Sequence, residues 1–170
     1  MSLKDIQRSL KAKYRREDEA AKLTLTVHAS QLSADAMSCS VDRGRAVYKA
    51  QAHSGVGGSG VSPCSGDLLL GALAACTQLT TQMVAEAVGI TVDHSDVTVE
   101  GDLDLRGTLG IDSSVPVGFQ QVRATVQVRA DATDRQREMP KEMTERYCVV
   151  MSTLRIPPEL SVAWDVSAPT

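Results

Sequence analysis

The chain has 170 residues, 42 % apolar and 23 % charged, with a net charge of −3, enough for one globular domain with its own hydrophobic core. No run of like charge and no basic stripe is present, so no nucleic-acid partner is expected, and the longest apolar stretch, residues 68–76, is too short for a membrane span. The first twenty residues mix Lys4, Lys11 and Arg15 with Asp5 and Glu17 and lack the apolar segment of a secretory signal, which points to the cytoplasm, where cysteines stay reduced.

Residues 3–21 read as a polar helix, with Leu3, Ile6, Leu10 and Tyr14 at helical spacing. This segment is set apart as an N-terminal extension, residues 1–21, before a main domain over residues 22–170. Residues 22–30 alternate as a strand. Two shorter strands are predicted over 36–41 and 46–52, turned by Asp42, Arg43 and Gly44. A glycine-rich loop follows over 53–66. Residues 66–89 then make the strongest helix in the chain, with Ser65 as N-cap, Asp67 in the first turn and Gly89 as its stop. Leu69, Leu73, Cys76, Thr80 and Met83 share one face of it.

Residues 91–108 alternate again, as do 122–130 after a turn at 115–118. Thr133 followed by Gln136 is a capping box that opens a second helix, read as continuous to about residue 154. Pro140 kinks that helix or marks its start. Pro157 and Pro158 end it, and residues 160–166 read as a closing strand. Strands and helices are grouped rather than alternating, so the fold class is α+β with an antiparallel sheet.

Four cysteines carry the candidate chemistry. Cys76 and Cys148 each read as a mid-helix residue on one of the two strongest helices. On facing helices such thiols come within disulfide reach. They also suit the role of small core hydrophobes, which spacing alone favours. Cys64 lies in the loop before the first of these helices and reads as a small loop residue, with a third redox thiol as the other option. Cys39 alternates with Val41 and reads as packing.

The run SGDLLLGALAACT at residues 65–77, with an acidic residue, a leucine-rich stretch and then Ala-Ala-Cys, resembles the signature helix of the OsmC/Ohr superfamily. So does YCVVMSTL at 147–154 followed by the segment from Leu160, and Val117-Gly118-Phe119 between them adds to the likeness. The resemblance covers roughly residues 22–166. It implies two central helices wrapped by antiparallel sheets and an intertwined homodimer. It also implies thiol-dependent reduction of organic hydroperoxides, and sometimes of hydrogen peroxide. In that chemistry Cys76 attacks the peroxide, Cys148 resolves the sulfenic acid as a disulfide, and an external dithiol, of lipoyl type in one branch, regenerates the enzyme. An arginine lowers the pKa of the attacking thiol, with a carboxylate holding the arginine. The matching positions are Arg45, with Arg43 as second choice, and Asp67. Asp67 stands where a Glu is usual and Val149 where a proline is common, so the chain resembles the broader OsmC-like group more than the Ohr branch.

Other chemistries have less footing. The stretch Gly55 to Gly60 fits the dinucleotide-binding glycine pattern literally, but Pro63 intervenes and the helix opens late. His28, His53 and His94 are scattered and no C-x-x-C is present, so no metal and no cofactor are expected. Two rivals to a peroxidase remain on the same fold: a dimeric small-molecule-binding protein, and a redox sensor whose disulfide alters partner contacts.

Overall fold

A computed structural model of the chain describes residues 3–31, 39–42, 52–58, 60, 63–166 and 168. Strands β1 (Lys22–Gln31), β2 (Cys39–Asp42), β3 (Val92–Asp104) and β4 (Gln121–Ala130) form one antiparallel sheet in the order β2-β1-β3-β4. Helices α1 (Leu3–Arg16), α2 (Ser65–Ala87), α3 (Leu105–Thr108), α4 (Asp134–Tyr147) and α5 (Val149–Arg155) complete it. The α+β class with an antiparallel sheet, expected from the sequence, is the fold observed.

Alternation in β3 decides which face of the sheet is covered. Val97, Val99 and Gly101 are buried toward α2, which packs on β1 and β3 and is itself overlaid by α4 and α5. α2 is therefore buried on most of its circumference, as its nearly all-round apolar first half requires. On length and composition it would also pass for a membrane span, but 61 % of that stretch is buried inside the protein, as in a core helix. Leu70, Leu73 and Ala74 of α2 join Val97, Val99 and Cys148 in the main core. Gly101 has a packing reason: a Cβ there would meet the Phe119 ring at 2.6 Å. The bare backbone lets this ring approach the sheet closely beside Leu70.

A second core lies at the other end of β3. Tyr14 of α1, Ala21, Leu105 and Leu109 are buried together, and the Tyr14 hydroxyl donates to the Gly55 carbonyl at 2.8 Å. Arg106 pairs with Asp104 at 2.7 Å and with Asp18 at 2.6 Å. That pairing ties the turn after α1 to the end of β3.

Several element bounds differ from the sequence reading. The first helix stops at Arg16 and the chain tightens into a 3₁₀ turn over Asp18–Ala21. The N-cap of α2 is Cys64 rather than Ser65, and the Asp67 carboxylate accepts from the Cys64 N–H at 2.8 Å. This is the returning half of a capping box. The third strand ends at Asp104, where α3 begins. Gly89 closes α2 in the left-handed region, φ 74°. Thr133 and Gln136 do open α4, the Thr133 N–H donating to the Gln136 side chain at 3.0 Å. Residues 160–166 form no strand: they have no regular secondary structure, with Leu160, Trp164 and Val166 each 86 % exposed. A strand needs an edge to pair with, and none of the described residues pairs with this segment. The strand expected over 46–52 lies almost wholly outside the described residues, as does the turn at 43–45.

Candidate functional site

The helix expected to continue to residue 154 is interrupted at Cys148, which ends α4 and begins α5 with φ −67° and ψ 108°. Cys148 is thus a junction residue, not a mid-helix one. The run Tyr147-Cys148-Val149-Val150 contains only weak helix formers, two of them β-branched, so little is lost by breaking there. The break frees the first N–H groups of α5 from helix hydrogen bonding. It also seats the Cys148 side chain, fully buried, against α2.

Cys76 sits midway along α2, partly buried, and packs on the cluster that contains Cys148. Burial pushes its thiol up, but the Val150 N–H, the Cys148 thiol, the Thr80 hydroxyl and the Val149 N–H outweigh it and hold Cys76 below the ordinary thiol value. Cys148 goes the other way. Its burial raises it, the Met151 N–H and the Thr77 hydroxyl pull it down in part, and the adjoining Cys76 raises it further. Cys76 is thus the more acidic thiol of the pair and Cys148 the less acidic.

Around the pair runs a set of buried hydroxyls. Thr77 Oγ1 lies 3.6 Å from Cys148 Sγ. Thr81 donates to the Thr77 carbonyl at 2.8 Å, and Thr144 donates to the Thr81 hydroxyl at 3.2 Å. The Cys148 N–H returns to the Thr144 carbonyl at 2.9 Å. The sequence reading passed over Thr77, Thr81 and Thr144. For Thr77 and Thr81 the signal is present as hydroxyls four apart on a largely apolar helix, where a polar group must find a buried partner; Thr144, on the polar α4, carries no such signal.

The other predicted residues fall elsewhere. Asp67 is buried in the first turn of α2, about 13.5 Å along the axis from Cys76. Arg45 and Arg43 lie outside the described residues. The strand that leads to them, β2, packs against α2. Cys64 is buried at the N-cap, its thiol raised by burial, about 18 Å of helix rise from Cys76; no disulfide spans that distance while α2 is intact. Cys39 pairs through its backbone with Gln31. Among the described residues no three His, Cys, Asp or Glu side chains come together as a metal site.

A groove of about 1010 Å³ is lined by Leu69, Leu73 and Thr77 of α2, by Phe119, and by Met151 and Leu154 of α5; it meets the thiol pair through Thr77, and neither cysteine lines it. β4 contributes Val122, Val126 and Val128, all more than a third exposed.

Residues 57–163 match the family described as OsmC-like protein. A solved structure, an OsmC-like hydroperoxide resistance protein from Jannaschia sp. CCS1, superposes with a TM-score of 0.63 over 88 % of this chain and 97 % of its own, at 15 % identity. At that identity the likeness speaks for the fold. No curated protein matches the chain.

Proposed function

The chain belongs to the OsmC-like proteins, and from that premise we propose that it is a thiol-dependent peroxidase acting on organic hydroperoxides. The observation that carries this reading is the contact between two thiols displaced in opposite directions, Cys76 downward and Cys148 upward. The role of the structural relative in hydroperoxide resistance supports it. The Cys76 thiolate attacks one peroxide oxygen: an S–O bond forms, the O–O bond breaks, and the alkoxide leaves and takes up a proton as the alcohol. Cys76 is then a sulfenic acid. The Cys148 sulfur attacks it, an S–S bond forms, the S–O bond breaks, and hydroxide leaves with the Cys148 proton as water. An external dithiol of lipoyl type, itself oxidised to a disulfide, returns both thiols. The family resemblance assigns the thiolate-stabilising positive charge to Arg45 and its orientation to Asp67, at the start of α2. The reducing cytoplasm suits this cycle.

The working unit in this proposal is a homodimer. Leu160, Val162, Trp164 and Val166 alternate along the C-terminal segment and are 64–86 % exposed. The apolar face of β4 lines an open groove. A second copy offers each of these surfaces a partner that the described residues of its own chain do not.

The test follows consumption of an alkyl hydroperoxide with a dithiol reductant for wild type, Cys76→Ser, Cys148→Ser and Arg45→Ala. Turnover should vanish in the first variant and collapse in the other two, and peptide mapping of the oxidised wild type should find a Cys76–Cys148 link. No turnover in the wild type overturns the reading. The open groove favours one second reading, a dimeric binder of an apolar small molecule, which predicts binding without turnover and indifference to Cys76→Ser.

A further inference from the structure

Thr77 follows Cys76 in sequence, but its side chain serves the other thiol. It is fully buried, and its Oγ1 meets Cys148 Sγ at 3.6 Å. The neighbouring hydroxyls are already committed, Thr81 to the Thr77 carbonyl and Thr144 to Thr81. These two bonds and the Cys148 N–H to Thr144 carbonyl bond close a loop across α2, α4 and the helix junction. A hydroxyl in so dry a place holds its partner strongly, because losing that partner strands a buried polar group.

We infer that Thr77 is a positioning residue for the resolving thiol, its hydroxyl holding Cys148 Sγ on the side from which it attacks the oxidised Cys76. This rests on the peroxidase reading and deepens it. As Cys148 gives up its proton, the Thr77 hydroxyl turns to donate to the developing thiolate, a charge-assisted bond that burial would otherwise leave unmade. Disulfide closure then outruns a second attack by peroxide, which would carry Cys76 on to the sulfinic acid. Around Cys148, α2 contributes Leu70, Leu73 and Ala74, and β3 contributes Val97 and Val99. The titratable group facing Cys148 among the described residues is Cys76.

Two measurements on Thr77→Val, with Thr77→Ser as the conservative variant, test it. Carbon-13 titration of the Cys148 Cβ in a Cys76→Ser background reads the resolving thiol alone. The valine variant should shift that titration upward by about one pH unit, a tenfold change, and serine should restore it. In the full protein, peroxide should leave a larger share of Cys76 as sulfinic acid in the valine variant, with the pH dependence of disulfide closure displaced the same way. Thr77→Ala makes the same deletion should valine not fold. Equal titrations and equal closure for valine and wild type overturn the proposal. Serine as impaired as valine does so too, because the methyl rather than the hydroxyl would then matter. If no hydroperoxide oxidises the wild type, the peroxidase reading falls by itself, and the titration together with closure of the disulfide by diamide still decides the part of Thr77.

Discussion

The Val150 N–H serves the Cys76 sulfur, and it is free to do so because the chain leaves its helix at Cys148 and starts another at Val149. In an unbroken helix that N–H would bond to Arg146, four residues back. The interruption turns backbone dipoles toward a thiol on a different helix, where they favour its ionised form.

Val149 is the first residue of α5, and Cys148 before it is already extended. Proline fits such a position, having no N–H to lose from the helix ladder and a preset φ. Val149→Pro should keep the fold, with stability within about 1 kcal/mol of wild type. It removes one of the donors to Cys76, so the midpoint of Cys76 alkylation against pH should rise. Thermal unfolding and iodoacetamide kinetics read the two effects separately. A large loss of stability would mean that the junction is not the helix start described above.

Cys148→Ser tests the same thiol from the other side. The Cys148 thiol is one of the groups that lower Cys76, and a serine hydroxyl replaces the sulfur at a shorter reach. The Cys76 pKa should therefore rise toward the ordinary value of about 8.5. At pH 7 a smaller fraction is thiolate and alkylation slows. The pH profile, run above and below neutrality, separates this from a change in access, which would scale all rates alike.

The buried end of β3 makes an acid-sensitive anchor. Arg106 holds the Asp104 carboxyl below the ordinary range, against the opposing effect of its burial. A carboxylate depressed in the folded state adds stability above its unfolded value of about 3.9 and gives it up as pH falls through the folded value. Asp104→Ala should destabilise the fold at pH 7, because Arg106 loses its two-pronged carboxylate partner and keeps only the more exposed Asp18. The variant should also lose less stability than wild type as pH falls below the unfolded carboxylate value of about 3.9. Urea unfolding at a series of pH values measures both.

The exposed C-terminal segment makes a prediction about assembly. Removing residues 157–170 should convert a dimer into a monomer in sedimentation equilibrium, with the core helices intact by circular dichroism. Trp164 is the one tryptophan of the chain and is 86 % exposed. Its emission should shift to the blue as protein concentration rises. A monomeric full-length protein with red-shifted emission at every concentration would rule out the dimer.

The sequence makes α2 legible because its signals are local: an apolar run, an acidic first turn and a glycine at the end. The same holds for Thr133 and Gln136 at the start of α4. Cys148 is different. No glycine or proline marks the break, and the residues before it are good helix formers, so the pattern runs on to Pro157. Only the weak propensity of four consecutive residues hints at an interruption that packing against α2 completes. The segment from Leu160 alternates as a strand should, but a strand is a property of two segments, and the described residues supply just one of them. Thr77 is hidden for a third reason. Its neighbour in sequence is one cysteine and its neighbour in space is the other, and only the helix junction brings the second within reach.

Gly101 decides the depth of the groove. Since the Phe119 ring occupies the space of its missing side chain, even an alanine there would lift the ring off the sheet and raise the floor beneath whatever lies along the α2 face. The wall that Phe119 gives the groove is thus set from beneath, by the absence of a single methyl group on a strand that itself carries neither cysteine.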